Sequence, residues 1–151
     1  MILADEQATL AAGSAMAPVL RAGDVVALFG DLGAGKTTFA RGLLAALGLA
    51  EEAPSPTFAI VQTYAPPEVR LPLAHVDLYR LDDPDEVDEL GLDDALADGA
   101  LLIEWPERLG ARLWPSALRL HLTPDAGGGR RLTWQRPAAW EGRWPPATLQ
   151  P

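Results

Sequence analysis

The octet Gly30-Asp-Leu-Gly-Ala-Gly-Lys36-Thr37 constrains this chain more than any other stretch. It fits the spacing G-x-x-x-x-G-K-[ST], and the chemistry explains each fixed position. Glycines at 30, 33 and 35 let backbone wrap closely around a polyphosphate with no side chain in the way. The amide hydrogens of residues 33–38 then converge on phosphate oxygens, and a helix starting near Lys36 adds the positive end of its dipole. Lys36 would reach the β- and γ-phosphates, and Thr37 would place its hydroxyl on a magnesium ion. The flanks agree. The continuous apolar run Asp24–Phe29 reads as a strand buried on both faces of a parallel sheet. Residues 36–47 carry Phe39, Leu43 and Leu47 at helical spacing before the stop at Gly48. A chance glycine-rich turn would not come with a strand running in and an amphipathic helix running out. The octet therefore reads as the phosphate cradle of a P-loop protein.

Lysine usage sharpens this reading. Of 12 basic residues, 11 are arginine, and Lys36 is the only lysine. A compact ammonium is not replaceable by a planar guanidinium where phosphate backs onto a tight loop. The remaining composition bounds the class. The 151 residues suit one domain, and the 48% hydrophobic content supports a core. The net charge of −9 gives no general pull toward nucleic acid or anionic membrane, so a role with RNA would run through a protein partner. With no cysteine, disulfides and thiolate chemistry are excluded, which fits a cytoplasmic protein. No apolar run is long enough to span a bilayer, and the N-terminal residues do not read as a signal peptide.

Around the cradle the pattern alternates helix and strand. Residues 5–17 read as a helix with Ala8, Ala12, Met16 and Leu20 roughly on one face, kinked or ended by Pro18. Phe58–Tyr64 and Leu71–Leu78 read as two strands joined by a turn. Residues 79–99 are acidic and read as short surface helices broken at Gly91. Ala100–Ile103 reads as a further buried strand. Ala117–Leu122 and Arg130–Arg136 would pair across Gly127-Gly128-Gly129. The expected fold is α/β, a P-loop NTPase-like three-layer sandwich with a mixed, mostly parallel central sheet flanked by helices. One domain is expected over residues 1–136, with an irregular, tryptophan- and proline-rich tail over 137–151.

A phosphate cradle alone does not hydrolyse. It needs a carboxylate near the metal and a group that orients water. Two strand ends offer the acid: Leu101-Leu-Ile-Glu104 and Leu73-Ala-His75-Val-Asp77. C-terminal strand ends lie beside the cradle in this architecture. The pattern favours Glu104 on the metal side and Asp77 as the group orienting water, although either acid could take the second role; a solvated strand end is the plain alternative for either one alone. Ser55-Pro-Thr57 follows the cradle helix, where switch loops sit, so Thr57 could sense the γ-phosphate or the metal; a proline-fixed loop serves as well. His75 reads as a hydrogen-bonding core histidine; Trp105 could shield the site or pack beneath it, and buried packing is the better default. Guanine is commonly read by Asn-Lys-x-Asp, but the chain has no asparagine and its one lysine is already used. ATP is therefore the expected nucleotide. The first helix, including Thr9, could flank the adenine.

Taken together, Gly30-Asp-Leu-Gly-Ala-Gly-Lys-Thr-Thr38, Ser55-Pro-Thr-Phe58, His75-Val-Asp-Leu-Tyr-Arg80, Glu89-Leu-Gly-Leu92 and Leu102-Ile-Glu-Trp105 resemble the TsaE (YjeE) family of bacterial P-loop ATPases. Their order and spacing cover roughly residues 5–110. The resemblance implies an ATP- and Mg2+-dependent ATPase, slow alone, serving threonylcarbamoyladenosine modification of tRNAs that read codons starting with A. It implies TsaD and TsaB proteins as partners, with tRNA reached only through them. Carried over by motif, Gly33, Ala34, Gly35, Lys36, Thr37 and Thr38 bind ATP, and Thr37 and Glu104 hold the metal. Asp77 is needed for hydrolysis alongside Glu104 and Lys36, Thr57 is switch-like, and Thr9 lies near the adenine. Two other classes compete. A small-molecule kinase would want an arginine-rich lid, where this chain is acidic. A nucleotide-gated interaction module would need binding but not hydrolysis. The roles of Arg130, Arg131 and the tryptophan-rich tail stay open between surface packing and partner contact.

Overall fold

The computed structural model describes residues 1–53 and 60–149. Its strands are β1 (Ile2–Leu3), β2 (Val25–Phe29), β3 (Val61–Tyr64), β4 (Leu73–Asp77), β5 (Ala100–Glu104), β6 (Leu118–Pro124) and β7 (Arg130–Gln135). The α-helices are α1 (Glu6–Met16), α2 (Lys36–Leu47) and α3 (Leu92–Leu96), with 3-10 turns between them. The strands form one sheet in the order β1-β7-β6-β2-β5-β4-β3. At its centre β6, β2, β5 and β4 are parallel; β3 and β7 run against them, and β1 is antiparallel to β7. Five of the seven strands thus share one direction, which makes the sheet mixed but mostly parallel, as the sequence pattern implies.

Strand alternation builds the three layers. Val26 and Leu28 of β2 and Leu102 of β5 face the side covered by α1 and α2, where Met16, Phe39 and Leu43 complete a core. Val25, Ala27, Leu101 and Ile103 face the other side, packed with Leu92 of α3 and with Val87 and Leu109 from 3-10 turns. A strand buried on both faces reads as a continuous apolar run, and β2 and β5 do so.

Helix α1 begins at Asp5, whose side chain accepts from the Ala8 amide at 2.8 Å. It crosses α2 at very short range. A Cβ on Gly13 would lie 2.1 Å from the Phe39 carbonyl oxygen, and one on Gly42 2.1 Å from that of Leu10. Only glycine fits either position. The sequence pattern gave these two residues no role.

Several boundaries move from the expected ones. Strand β2 starts at Val25 because Asp24 turns its carboxylate to the backbone amide of Arg21 and to Arg143. Strand β4 starts at Leu73, since Pro72 has no amide to place in the ladder. The strand expected from Phe58 is seen as Val61–Tyr64, and residues 58 and 59 lie outside the described ones. Residues 84–96 form a 3-10 turn and a short helix that meet at left-handed Gly91. The segment after 137 contains two 3-10 turns, Ala138–Trp140 and Ala147–Leu149, and inserts fully buried Trp140 and Trp144 into the α1/α2-side core.

Candidate functional site

The connection from β2 to α2 forms the loop, and backbone conformation shows why its glycines are there. Gly33 and Gly35 adopt φ of +79° and +104°, in the left-handed region that L side chains avoid. Gly35 caps α2 through its backbone, so the first turn of the helix opens toward the loop. Together with Thr9 at the start of α1 and Asp77 and Glu104 at the ends of β4 and β5, this loop borders a cleft of about 580 Å3.

Register decides which acids face it. Asp77 of β4 is paired with Glu104 of β5, so both carboxylates leave the sheet on one face. Leu102 lies two residues before Glu104 and faces α1 and α2, which puts Glu104 on that side as well. Helix α2 begins there with Lys36 and Thr37. The Thr37 hydroxyl donates to Glu104 Oε1 at 3.3 Å. His75, two residues before Asp77 and only 1% exposed, meets Glu104 Oε2 through Nε2 at 2.6 Å. Its Nδ1 has no partner among the described residues. That asymmetry favours the tautomer with the proton on Nε2, since a bare lone pair is cheaper to bury than an orphan N–H. His75 is thus a core histidine, as its sequence context suggests, and it also fixes the Glu104 carboxylate.

Lys36 is 5% exposed. Its ammonium donates to the Gly30 carbonyl at 2.6 Å and lies 3.5 Å from the centroid of the Trp105 ring. Burial lowers its pKa, opposed by the charges of Glu104, Glu107, Asp77 and Asp31. Asp77 moves the other way. Burial and, more weakly, the Glu104 charge raise its pKa, while the backbone amide of Tyr79, Lys36 and His75 hold it down. The Tyr79 amide donates to Asp77 Oδ1 at 2.9 Å, leaving Oδ2 for another partner. Glu107 is also raised, chiefly by burial.

Trp105 departs from the buried packing expected of it. It is only half-buried, at the edge of the cleft, and is the one non-glycine residue with positive φ among those described (φ 59°). A bulky side chain there costs about 1–2 kcal/mol. The Lys36 ammonium and a tilted contact with Tyr79 at 5.0 Å between centroids hold the ring in place.

Of the residues expected at the site, Thr9, the segment 33–38, Asp77 and Glu104 border one cleft. Thr57 lies outside the described residues. Thr9 is buried, and its methyl would be 3.5 Å from a Cβ built on Gly35, so α1 abuts the loop at that point. Sequence reasoning left Arg130 without a role, yet it reaches the loop: Nη2 donates to the Gly33 carbonyl and Nε to that of Ala34, both at 3.0 Å. The one signal in the sequence was an arginine placed just after Gly127-Gly128-Gly129.

The donor set fits a hard divalent cation. The Thr37 hydroxyl and the carboxylates of Glu104 and Asp77 are oxygen donors. Left-handed turns at Gly33 and Gly35, where the backbone carries no side chain, fit the close approach of a polyphosphate. These features, with the mixed parallel sheet, define the class as a P-loop NTPase-like α/β protein.

Comparison with known proteins then narrows the class. The sequence profile of Threonylcarbamoyl adenosine biosynthesis protein TsaE matches residues 3–132. A Streptomyces coelicolor protein named tRNA threonylcarbamoyladenosine biosynthesis protein TsaE is 43% identical over 116 residues, covering 76% of this chain and 78% of that protein. Its namesake in Bacillus subtilis is 37% identical over 126 residues, covering 83% and 77%. The crystal structure of Bacillus subtilis YdiB superposes with a TM-score of 0.70 at 32% identity, covering 86% of this chain and 79% of that one. The chain belongs to the TsaE family of threonylcarbamoyl adenosine biosynthesis proteins.

Proposed function

We propose that this chain is an accessory ATPase for threonylcarbamoyladenosine modification of tRNAs that read codons starting with A. In this reading it binds and hydrolyses ATP with Mg2+ in the cleft, in the cytoplasm, and acts with TsaD and TsaB proteins. The observation that carries the proposal is the meeting of Thr37 and Glu104 at 3.3 Å where α2 leaves the glycine-rich loop, with Asp77 in register beside them.

Bound Mg2+ would supply charge neutralisation at the β- and γ-phosphates. The chain's own groups do the rest. Amides of the segment 33–38 bind the phosphates, apart from that of Ala34, which donates to the Asp31 carbonyl within the loop, and Lys36 moves from the Gly30 carbonyl to phosphate oxygens. Thr37 and Glu104 hold the metal, with His75 keeping the Glu104 carboxylate aimed. Asp77, whose carboxyl pKa is raised by burial above its ordinary value and which has one oxygen uncommitted to Tyr79, orients the attacking water. Thr9 flanks the base. The carboxylates of Asp77, Glu104 and Glu107 around a single lysine repel a bare polyanion, which supports a requirement for the divalent cation. The net charge of −9 supports contact with tRNA through partner proteins rather than directly.

The test is hydrolysis of ATP with and without TsaB and TsaD, for the wild type and Glu104→Gln. The expected result is slow turnover alone, faster turnover with partners, and a loss of about 100-fold in the variant together with its magnesium response. Full-rate hydrolysis without partners would remove the coupling. If Glu104→Gln still sustained full tRNA modification, the chain would be a nucleotide-gated module instead.

A further inference from the structure

The guanidinium of Arg130 spends all three of its nitrogens on backbone carbonyls: Nε on Ala34 at 3.0 Å, Nη2 on Gly33 at 3.0 Å and Nη1 on Gly129 at 3.2 Å. Two of these acceptors are separated from Arg130 by more than ninety residues of chain and lie in the glycine-rich loop. We propose that Arg130 is a positioning residue that holds the loop in its phosphate-ready shape before any nucleotide arrives.

The physical basis is the planarity of the peptide unit. A carbonyl and the following amide hydrogen are locked on opposite sides of a trans peptide. Fixing the Ala34 carbonyl therefore fixes the direction of the Gly35 amide, which points away from Arg130. Fixing the Gly33 carbonyl sets the Ala34 amide in the same way, and that amide closes the loop's own turn by donating to Asp31 at 3.0 Å. A loop with glycines at φ +79° and +104° has many competing conformations, and charge-assisted bonds from a rigid fork restrict them. A lysine in place of Arg130 would bring the charge without the fork.

The base of the side chain is itself held firmly. Arg130 opens β7, opposite Leu3 of β1 and Pro124 of β6. Gly129 packs so close to β1 that a Cβ on it would lie 2.2 Å from the Leu3 carbonyl oxygen. Strand β1 leads directly into Asp5, the cap of α1, and α1 carries Thr9 against Gly35. One strand pair thus sets the spacing between the helix on one side of the cleft and the loop on the other. The inference deepens the nucleotide-binding reading and rests on it for its effect on ATP, but not for its effect on the loop.

The experiment measures amide hydrogen exchange at residues 33–38 in the nucleotide-free protein, and ATP affinity, for the wild type, Arg130→Ala and Arg130→Lys. In Arg130→Ala, loop exchange should rise about tenfold and ATP binding weaken about tenfold, with turnover at saturating ATP falling less than affinity. Arg130→Lys should stay closer to alanine than to arginine on both readouts. Unchanged loop exchange in Arg130→Ala overturns the proposal, and so does full recovery by lysine, which would mean that charge alone matters. Exchange needs no nucleotide. If the wild type failed to bind ATP while loop exchange still rose in Arg130→Ala, the functional reading would fall and the positioning role would stand.

Discussion

Strand β2 has a charged cluster at each end, and the two are built on opposite principles. At its start, Asp24 and Arg143 form a closed set. Arg143 donates to both Asp24 oxygens at 2.8 and 2.9 Å and to the Val19 carbonyl at 2.7 Å, and its guanidinium lies 4.2 Å from the Trp140 ring centroid. The Arg21 amide adds a further bond to Asp24 at 2.7 Å. Nothing there is left wanting a partner. At the far end, Lys36 is held on a carbonyl and a ring, its pKa lowered by burial, while Asp77 is raised and has one oxygen with no hydrogen-bond partner among the described residues. The first cluster stabilises the fold. The second holds charges in an unfavourable setting that a phosphate and a cation would relieve. Perturbed groups gathered in a cleft are what a working site requires, and a closed ion pair is what a structural clamp requires.

The contrast is strongest for Lys36→Ala. We expect ATP hydrolysis to fall by at least about 100-fold with no loss of thermal stability, since the variant removes a buried charge. A large drop in melting temperature would instead make Lys36 a second structural clamp. Arg143→Ala should behave in the opposite way. Removing one partner of a buried pair leaves Asp24 uncompensated and should cost about 3 kcal/mol in denaturant unfolding, with ATP affinity unchanged. If ATP affinity fell as well, the two ends of β2 would be coupled rather than separate.

The smallest effect separates the clusters by pH. Because its pKa is raised, the Asp77 carboxyl is held more tightly protonated in the folded state than in the unfolded one. Its contribution to stability is complete below the ordinary value of 3.8 and is lost as pH rises through the raised value. Asp77→Asn keeps an acceptor for the Tyr79 amide and stays neutral. It should therefore be slightly more stable than the wild type at neutral pH, with the gap closing as the pH falls through the raised value and closed below 3.8. Melting curves across that range check the sign, and a variant less stable at neutral pH would place Asp77 with the structural pair.

The legibility of the site follows from locality. Gly30–Thr37 is one continuous segment whose spacing carries its own chemistry, and Asp77 and Glu104 each end an apolar strand, so residue order alone nominated them. Arg130 was not nominated because its acceptors are backbone carbonyls, which no residue type reveals. Asp24 and Arg143 meet only because the C-terminal segment folds back over the start of β2 and buries Trp140 and Trp144, whereas proline and tryptophan content alone suggested an irregular tail. Gly13 and Gly42 read as ordinary helix residues until α1 and α2 are seen to cross at backbone range. The sequence by itself determined the α/β class, the loop, and the acids that end β4 and β5, because short-range periodicity and turn chemistry are written along the chain. Only the tertiary structure decided which groups hold those acids and that loop in place, because hydrogen bonds from distant side chains to backbone depend on register and packing, and the sequence does not encode either of these locally.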